Sequence, residues 1–348
     1  MEENKHTKYD LAQMQSLPLS AKIIMTKRRI RDWYDYWDGQ VYVSFSGGKD
    51  STVLLHIARE VRPDIEAVFV NTGLEYPEIQ KFVKTFDNVT ILRPKMRFDE
   101  VIKTYGYPMI SKEVAMVIEY AKKGRQWAIN NLNGLDNKGN QYIFKKSMFA
   151  KYKPFIQTDF NVSSKCCGVM KEKPIDEYAK SVGKKPISAI MASESRRREN
   201  AWLRTGCNSF ASKKPMSKPM SFWTEQDVLQ YIKEHNLPIA SVYGEVVYKE
   251  DPDQMRIEDY GIEGCGTEKL CTTGCNRTGC IFCAFGAHLE KGESRFERLK
   301  RTHPRQYEYC IGGGEYVNGV WQPSKSGLGM GHVFDELNKI YGEGFIKY

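Results

Sequence analysis

The 348-residue chain has no apolar run of the about 18 residues that a membrane helix requires. Its first residues, Met1-Glu2-Glu3-Asn4-Lys5, are polar and carry no hydrophobic signal segment. Both absences lead to the expectation of a cytoplasmic protein with no membrane partner. Internal repeats and low-complexity tracts are lacking too, which excludes solenoids and linker-like chains. Histidine is scarce, and the six present form no metal-binding pattern. The Walker phosphate loop is missing, as is the dinucleotide-binding glycine pattern. Gly327-Leu328-Gly329-Met330-Gly331 does not supply the latter, because no strand precedes it.

What is present suits a folded enzyme. A hydrophobic fraction of 41% can form a core. The 52 basic residues outnumber the 43 acidic ones, and the net charge of +9 favours anionic ligands such as nucleotides or nucleic acid. Nine cysteines are an odd number and they cluster. In a reducing compartment this points to metal binding or redox work, not to a disulfide scaffold.

Residues from about Leu11 to Trp37 read as helix, with Lys27, Arg28, Arg29 and Arg31 on it. Val41-Tyr42-Val43-Ser44-Phe45 reads as a strand, and Ser51 to Glu60 as a helix with an apolar face, closed by Arg62-Pro63. Ile65 to Val70 is a second strand, Glu75 to Phe86 a helix, Val89 to Leu92 a third strand, and Pro186 to Met191 a later one. Alternation of this kind predicts βαβ units, and so an open, mostly parallel sheet flanked by helices in an α/β fold. A basic helical extension is expected over 1–40. A nucleotide-binding domain over 41–240 carries an insertion of helices and loops at about 107–160, and a cysteine-rich region with a tail fills 241–348.

Between the first strand and its helix stands Ser46-Gly47-Gly48-Lys49-Asp50-Ser51. Two glycines permit positive φ and close backbone approach. Successive N–H groups and the helix N-terminus then make an anion site. Ser46 and Ser51 can donate hydroxyl hydrogen bonds, Lys49 can neutralise phosphate, and Asp50 can help hold Mg²⁺.

This loop resembles the Ser-x-Gly-Gly-x-Asp-Ser loop of the PP-loop, or N-type ATP pyrophosphatase, superfamily. Further segments resemble phosphoadenosine phosphosulfate (PAPS) reductases and their adenosine phosphosulfate-using relatives. Val68 to Glu78 is similar to the family's second strand and Asp-Thr-Gly turn, with Asn71 in place of Asp before Thr72 and Gly73. Ala189 to Arg198 resembles the nucleotide-contacting stretch: Glu194, Ser195 and Arg198 match, whereas Ala189 and Met191 replace Gly and Arg. Phe222 to Pro238 resembles the family's tryptophan-bearing helix. The resemblance implies an adenine nucleotide alpha hydrolase-like fold. It implies nucleotide contacts from Ser44, Ser46, Gly47, Gly48, Lys49, Asp50, Ser51, Asn71, Thr72, Gly73, Glu194 and Arg198. Ser46, Lys49 and Asp50 are the catalytic candidates.

Cys166-Cys167 and Cys280-Ile281-Phe282-Cys283 resemble the four ligands of the 4Fe–4S cluster in adenosine phosphosulfate-type reductases. A zinc site from Cys271, Cys275, Cys280 and Cys283 is the rival reading, since Cys265 and these four share one short stretch. Cys207 and Cys310 are expected in the core, and His288 beside the cysteine pair is an incidental neighbour. The mobile Glu-Cys-Gly-ϕ-His tail of true reductases has no counterpart, because Cys310 stands in Tyr309-Cys310-Ile311-Gly312. The leading expectation is therefore an enzyme that cleaves Mg²⁺-bound ATP between the α and β phosphates. One alternative is a sulfonucleotide reductase with Cys310 as nucleophile. Another is an accessory protein of a phage, DNA phosphorothioation or type IV-B CRISPR system. It would hold a nucleic acid or nucleoprotein through the basic helix and the basic, aromatic residues Lys122, Arg125, Trp127, Lys145 and Lys146.

Overall fold

The computed structural model describes residues 5–141, 147–249 and 269–348. Cys265, Lys145 and Lys146 lie outside the described residues. The chain divides into two compact units. Unit one comprises Met1–Asn71, Glu75–Leu92 and Ile175–Thr278, and unit two comprises Thr72–Leu74, Arg93–Pro174 and Gly279–Tyr348.

Short β-branched and aromatic runs make the first three strands of the six-stranded sheet of unit one. Its strands are β1 (Val41–Ser44), β2 (Ala67–Val70), β3 (Val89–Leu92), β4 (Lys185–Ser188), β5 (Asn208–Ser209) and β6 (Met216–Ser217). In space they run β3-β2-β1-β4-β6-β5. Pairing is parallel from β3 through β6, and β5 adds an antiparallel edge. Val43 stands opposite Ala67 and Ile187, and Ser44 opposite Val68 and Ser188. Val41 to Val43 and Ala67 to Val70 are buried throughout, as a sheet covered on both faces demands. The predicted α/β class, mostly parallel and flanked by helices, is the observed one.

The predicted single helix over Leu11 to Trp37 is two helices, α1 (Lys8–Gln15) and α2 (Leu19–Tyr36). Pro18 separates them as the N-cap of α2, since proline lacks the N–H that a continuous helix would use. Thr7 and Asp10 form a capping box that starts α1. Lys22 on α2 is 2% exposed and meets both Asp227 carboxylate oxygens at 2.8 and 2.7 Å. Asp227 lies in the helix Glu225–Glu234 and caps it through Thr224. Trp223, just ahead of that helix, is fully buried and donates from its indole to Thr26 at 2.9 Å.

Unit two is largely helical. It holds Phe98–Tyr105, Lys112–Lys122, Gln126–Leu132, Arg295–Thr302, Pro304–Ile311 and Met330–Tyr341. Two-residue strands at Met109–Ile110 and Ala284–Phe285 pair in parallel, and Glu315–Val317 with Val320–Gln322 forms a hairpin. Lys122 is turned inward onto the carbonyls of Thr158 and Phe160, at 2.9 and 2.6 Å. Among the described residues no helix is long and apolar enough to cross a membrane.

Candidate functional site

In open α/β sheets, ligands bind beyond the carboxyl ends of the strands, where the strand order reverses. In unit one that point is β1. The chain goes from β1 to β2 and β3 on one side, then returns to β4 on the other. The predicted phosphate loop leaves β1 there and enters α3 (Lys49–Val61), whose N-cap is Gly48. No side chain caps that N-terminus. Gly47 has φ +71°, and a Cβ there would sit 2.7 Å from Val83 Cγ2 and 2.8 Å from Ile79 Cγ2. Only glycine lets this turn pack against α4 (Pro77–Val83).

Hydroxyls tie the loop together. Ser46 Oγ and Ser51 Oγ are 3.0 Å apart, and the Ser46 amide donates to Ser51 Oγ at 3.2 Å. Ser51 Oγ also donates to the Gly48 carbonyl at 2.9 Å, and the Gly48 amide donates to Ser46 Oγ at 3.3 Å. The Lys49 amide donates to Tyr243 Oη at 3.2 Å, and that phenol stands 2.5 Å from Thr278 Oγ1. Asp50 Oδ1 is buried without a hydrogen-bond partner, though the Lys49 ammonium lies 3.5 Å away. A buried carboxylate oxygen with no donor at the head of a phosphate loop fits a Mg²⁺ ion shared with phosphates.

Lys49 differs from its expected posture. The side chain is buried, with its ammonium 3.0 Å from the Asn276 carbonyl and 3.0 Å from Glu225 Oε1. Burial works against that charge, but Asp50 and Glu225 outweigh it and raise the pKa above the ordinary lysine value. Glu194 accepts from the Met191 amide at 3.3 Å and pairs with both Arg198 and Arg277. Burial lowers the pKa of Arg198, as does the charge of Arg277, whereas Asp50 opposes the shift. Ser44 ends β1, and the Asn71 amide donates to the Leu92 carbonyl at 2.8 Å in the same unit. Thr72 and Gly73 belong to unit two, where the Leu74 amide donates to Thr72 Oγ1 at 3.2 Å.

Unit two holds the predicted cysteine quartet. Cys166, Cys167, Cys280 and Cys283 line one cavity with Leu74, Phe98, Pro108, Met170 and Lys171. Cys166 and Cys167 sit at the entry of a wide helical turn, Gly168–Glu172, with their sulfurs 4.0 Å apart. The Cys283 amide closes a turn on the Cys280 carbonyl at 3.0 Å, and Arg295 holds the Cys283 carbonyl at 2.8 Å. A hydrogen bond from Cys166, aided by Lys112 and Lys171, lowers the Cys167 pKa to about 6 against burial. The bond to Cys167 and burial push Cys166 up, and burial pushes Cys283 up. Among the described residues no three His, Cys, Asp or Glu side chains are placed to hold a single metal ion. The four thiols around this cavity, with the charges of Lys112 and Lys171 acting on Cys167, are a donor set of the kind that iron–sulfur groups take. Cys271 and Cys275 lie in unit one and do not line this cavity.

Residues 40–109 and 111–285 match the sequence pattern of the phosphoadenosine phosphosulfate reductase domain family. The chain belongs to that family, within the PP-loop superfamily. It is 25% identical over 208 residues to adenosine 5′-phosphosulfate reductase of Staphylococcus haemolyticus, covering 60% of this chain and 66% of that protein. It is 28% identical over 148 residues to an uncharacterized protein of Methanocaldococcus jannaschii, covering 38% of this chain and 35% of that one. The chain thus spans between about a third and two thirds of these relatives' lengths. A crystal structure of PAPS reductase from Candida auris in a phosphate complex aligns over 76% of this chain and 97% of that one, with 13% identity and a TM-score of 0.36.

Within this PAPS reductase-like chain, Cys310 does not fit the nucleophile of a mobile tail. It is fully buried in the helix Pro304–Ile311, its sulfur 3.5 Å from Met330 Sδ, and burial raises its pKa far above the ordinary thiol value. A nucleophilic cysteine needs thiolate character and access, and Cys310 lacks both. Cys207 is likewise buried, with its pKa raised by burial. His288 packs on Phe345 at 5.3 Å and does not line the cysteine cavity. Tyr243, Asn276, Arg277 and Thr278 were not anticipated beside the phosphate loop. They come from aperiodic chain, and Arg277, a cation set between two cysteine pairs, was the only sequence cue.

Proposed function

We propose that this PAPS reductase-like protein is an adenine-nucleotide-binding enzyme that cleaves ATP at the α–β phosphate bond. The observation that carries this reading is the Ser46–Ser51 loop with its buried Asp50 oxygen, which accepts no hydrogen bond, in a chain whose one tail cysteine is sealed in the core. The loop amides and the N-terminus of α3 would hold the β and γ phosphates, and Ser46 would turn its hydroxyl from Ser51 to a phosphate oxygen, while Ser51 holds the loop through the Gly48 carbonyl. Arg198 would draw charge from the phosphate chain. Lys49, held by Glu225 and the Asn276 carbonyl, would stiffen the loop. Water, or an acceptor group, attacks the α phosphorus, the bond to the bridging oxygen breaks, and pyrophosphate leaves with that electron pair. Mg²⁺ held by Asp50 and the phosphates would neutralise the charge that develops on the leaving group. Cys166, Cys167, Cys280 and Cys283 would hold a 4Fe–4S cluster, which supplies an anionic redox or Lewis-acid centre.

Product analysis with ATP and Mg²⁺ tests the reaction. AMP and pyrophosphate should form with the wild-type chain and fall at least tenfold in Ser46→Ala and Asp50→Ala. No turnover by wild type, or equal turnover in both variants, sinks the proposal. Anaerobic iron, sulfide and zinc analysis tests the cysteines. Iron and sulfide should be lost in Cys166→Ser and kept in Cys271→Ser, whereas zinc without sulfide rejects the cluster.

Sulfonucleotide reduction, the activity named for the Staphylococcus haemolyticus relative, is the alternative. It predicts sulfite release from a phosphosulfate nucleotide with thioredoxin. The burial of Cys310 speaks against that thiol as its nucleophile.

A further inference from the structure

Arg277 in unit one has no role in the nucleotide site described above. Arg277 is 63% exposed along its side chain, yet its guanidinium is held by Glu194, which is only 12% exposed. Glu194 holds Arg198 in the same way. One largely enclosed carboxylate therefore carries two guanidinium groups. Like charges are brought together there: burial lowers the pKa of Arg198 most, and the charge of Arg277 lowers it further. A single carboxylate cannot neutralise two cations. Each guanidinium has five N–H donors, and Glu194 takes only part of each set.

The neighbours of Arg277 put it at the phosphate loop. The Asn276 carbonyl, one residue before it, receives the Lys49 ammonium at 3.0 Å. Thr278, one residue after it, meets Tyr243 Oη at 2.5 Å, and that phenol in turn accepts the Lys49 amide. A Cβ on Gly48 would lie 3.5 Å from Thr278 Oγ1. The segment Asn276–Thr278 thus forms a wall of the loop, with Arg277 at its middle and directed to Glu194. Arg198 also senses the charge of Asp50, so the paired arginines and the loop's carboxylate share one field.

We propose that Arg277 is a second anion-binding arm of this nucleotide site. It reads the anionic group beyond the α phosphate, and Glu194 is the positioning residue that holds Arg277 and Arg198 as a two-pronged clamp. Resting on the nucleotide-site reading, this adds Arg277 as the residue that senses the group beyond the α phosphate. The ligand carries at least two adjacent anionic groups, either a polyphosphate or a phosphosulfate. A nucleoside monophosphate gains nothing from Arg277. The flat, bidentate fork of arginine suits such a group better than lysine does.

The test is calorimetric titration of the full chain, wild type, Arg277→Ala, Arg277→Lys and Glu194→Gln, with Mg²⁺–ATP, adenosine 5′-phosphosulfate and AMP. Losing a charge-assisted hydrogen bond of this kind weakens binding by about tenfold to a hundredfold. Arg277→Ala should show that loss for ATP or for the phosphosulfate, with AMP affinity held within about twofold. Whichever of the two loses affinity identifies the tail that is read. Arg277→Lys should recover only part. Glu194→Gln should weaken the same ligand while the melting temperature stays near that of wild type. If wild type binds ATP or the phosphosulfate and Arg277→Ala binds it equally well, or if AMP weakens as much, the clamp is refuted and the nucleotide site stands. If wild type binds none of the three ligands, the nucleotide-site reading itself fails and the clamp falls with it.

Discussion

Gly47→Ala probes the part of the fold on which the phosphate loop depends. Gly47 has φ +71°, a region that costs an L-residue with a side chain roughly 1–2 kcal/mol. The added methyl would also stand 2.7 Å from Val83 Cγ2 and 2.8 Å from Ile79 Cγ2. Both partners are buried, at 1% and 2% exposure, so they have little room to yield. Overpacking of this sort costs about 1–3 kcal/mol. Together the two effects give about 2–5 kcal/mol, a large share of a typical total stability of about 5–15 kcal/mol. Gly48→Ala is the matched control. Gly48 has φ −77°, which any residue adopts, and the three atoms nearest its new Cβ would be hydroxyl oxygens at 3.2 to 3.5 Å. Urea unfolding of the three proteins, followed by tryptophan fluorescence, should place Gly47→Ala well below wild type and Gly48→Ala within about 1 kcal/mol of it. Nucleotide binding should suffer in both. An unfolding midpoint for Gly47→Ala equal to that of wild type would refute the packing of the loop on α4.

Three further outcomes are expected. Lys22→Ala leaves the Asp227 carboxylate without its ammonium partner, which should cost about 3–5 kcal/mol in denaturant unfolding, because a buried pair broken on one side leaves an uncompensated charge. Glu66 accepts from Thr90, Tyr178 and Lys184 at 2.5, 2.6 and 2.6 Å, and burial is outweighed by these donors, so its pKa is lowered. The unfolded chain then takes up this proton first as pH falls. The stability from Glu66 is full above about pH 4.3, the ordinary glutamate value, and is lost below it. Glu66→Gln should be less stable at pH 7 and show a flatter acid limb, and an unchanged acid limb would count against these contacts. Cys310 should resist iodoacetamide in the native chain and react only after unfolding, as read by peptide mass mapping. Fast native labelling would reopen it as a nucleophile.

Much of unit one could be read in advance because its signals are local. β1, the two glycines and the apolar face of α3 follow one another, so period and turn chemistry suffice. Pro18 splits into two helices a stretch whose pattern otherwise presents one. The charge of Lys49 was legible but not its direction, because Glu225 and Asn276 reach it from chain about 180 and 230 residues away. The same holds for Arg277, Thr278 and Tyr243, whose positions depend on long-range closure and leave no periodic trace. Cys166-Cys167 and Cys280–Cys283 were paired only through family resemblance, and the structure brings all four to one cavity.

Which bond of ATP breaks at this loop decides between the readings. Phosphorus-31 NMR of ATP and Mg²⁺ incubated with the anaerobically purified full chain reads the products directly. Resonances of AMP and pyrophosphate, growing together and absent with Asp50→Ala, are the predicted result. ADP with orthophosphate, or a spectrum that stays that of ATP, would contradict it.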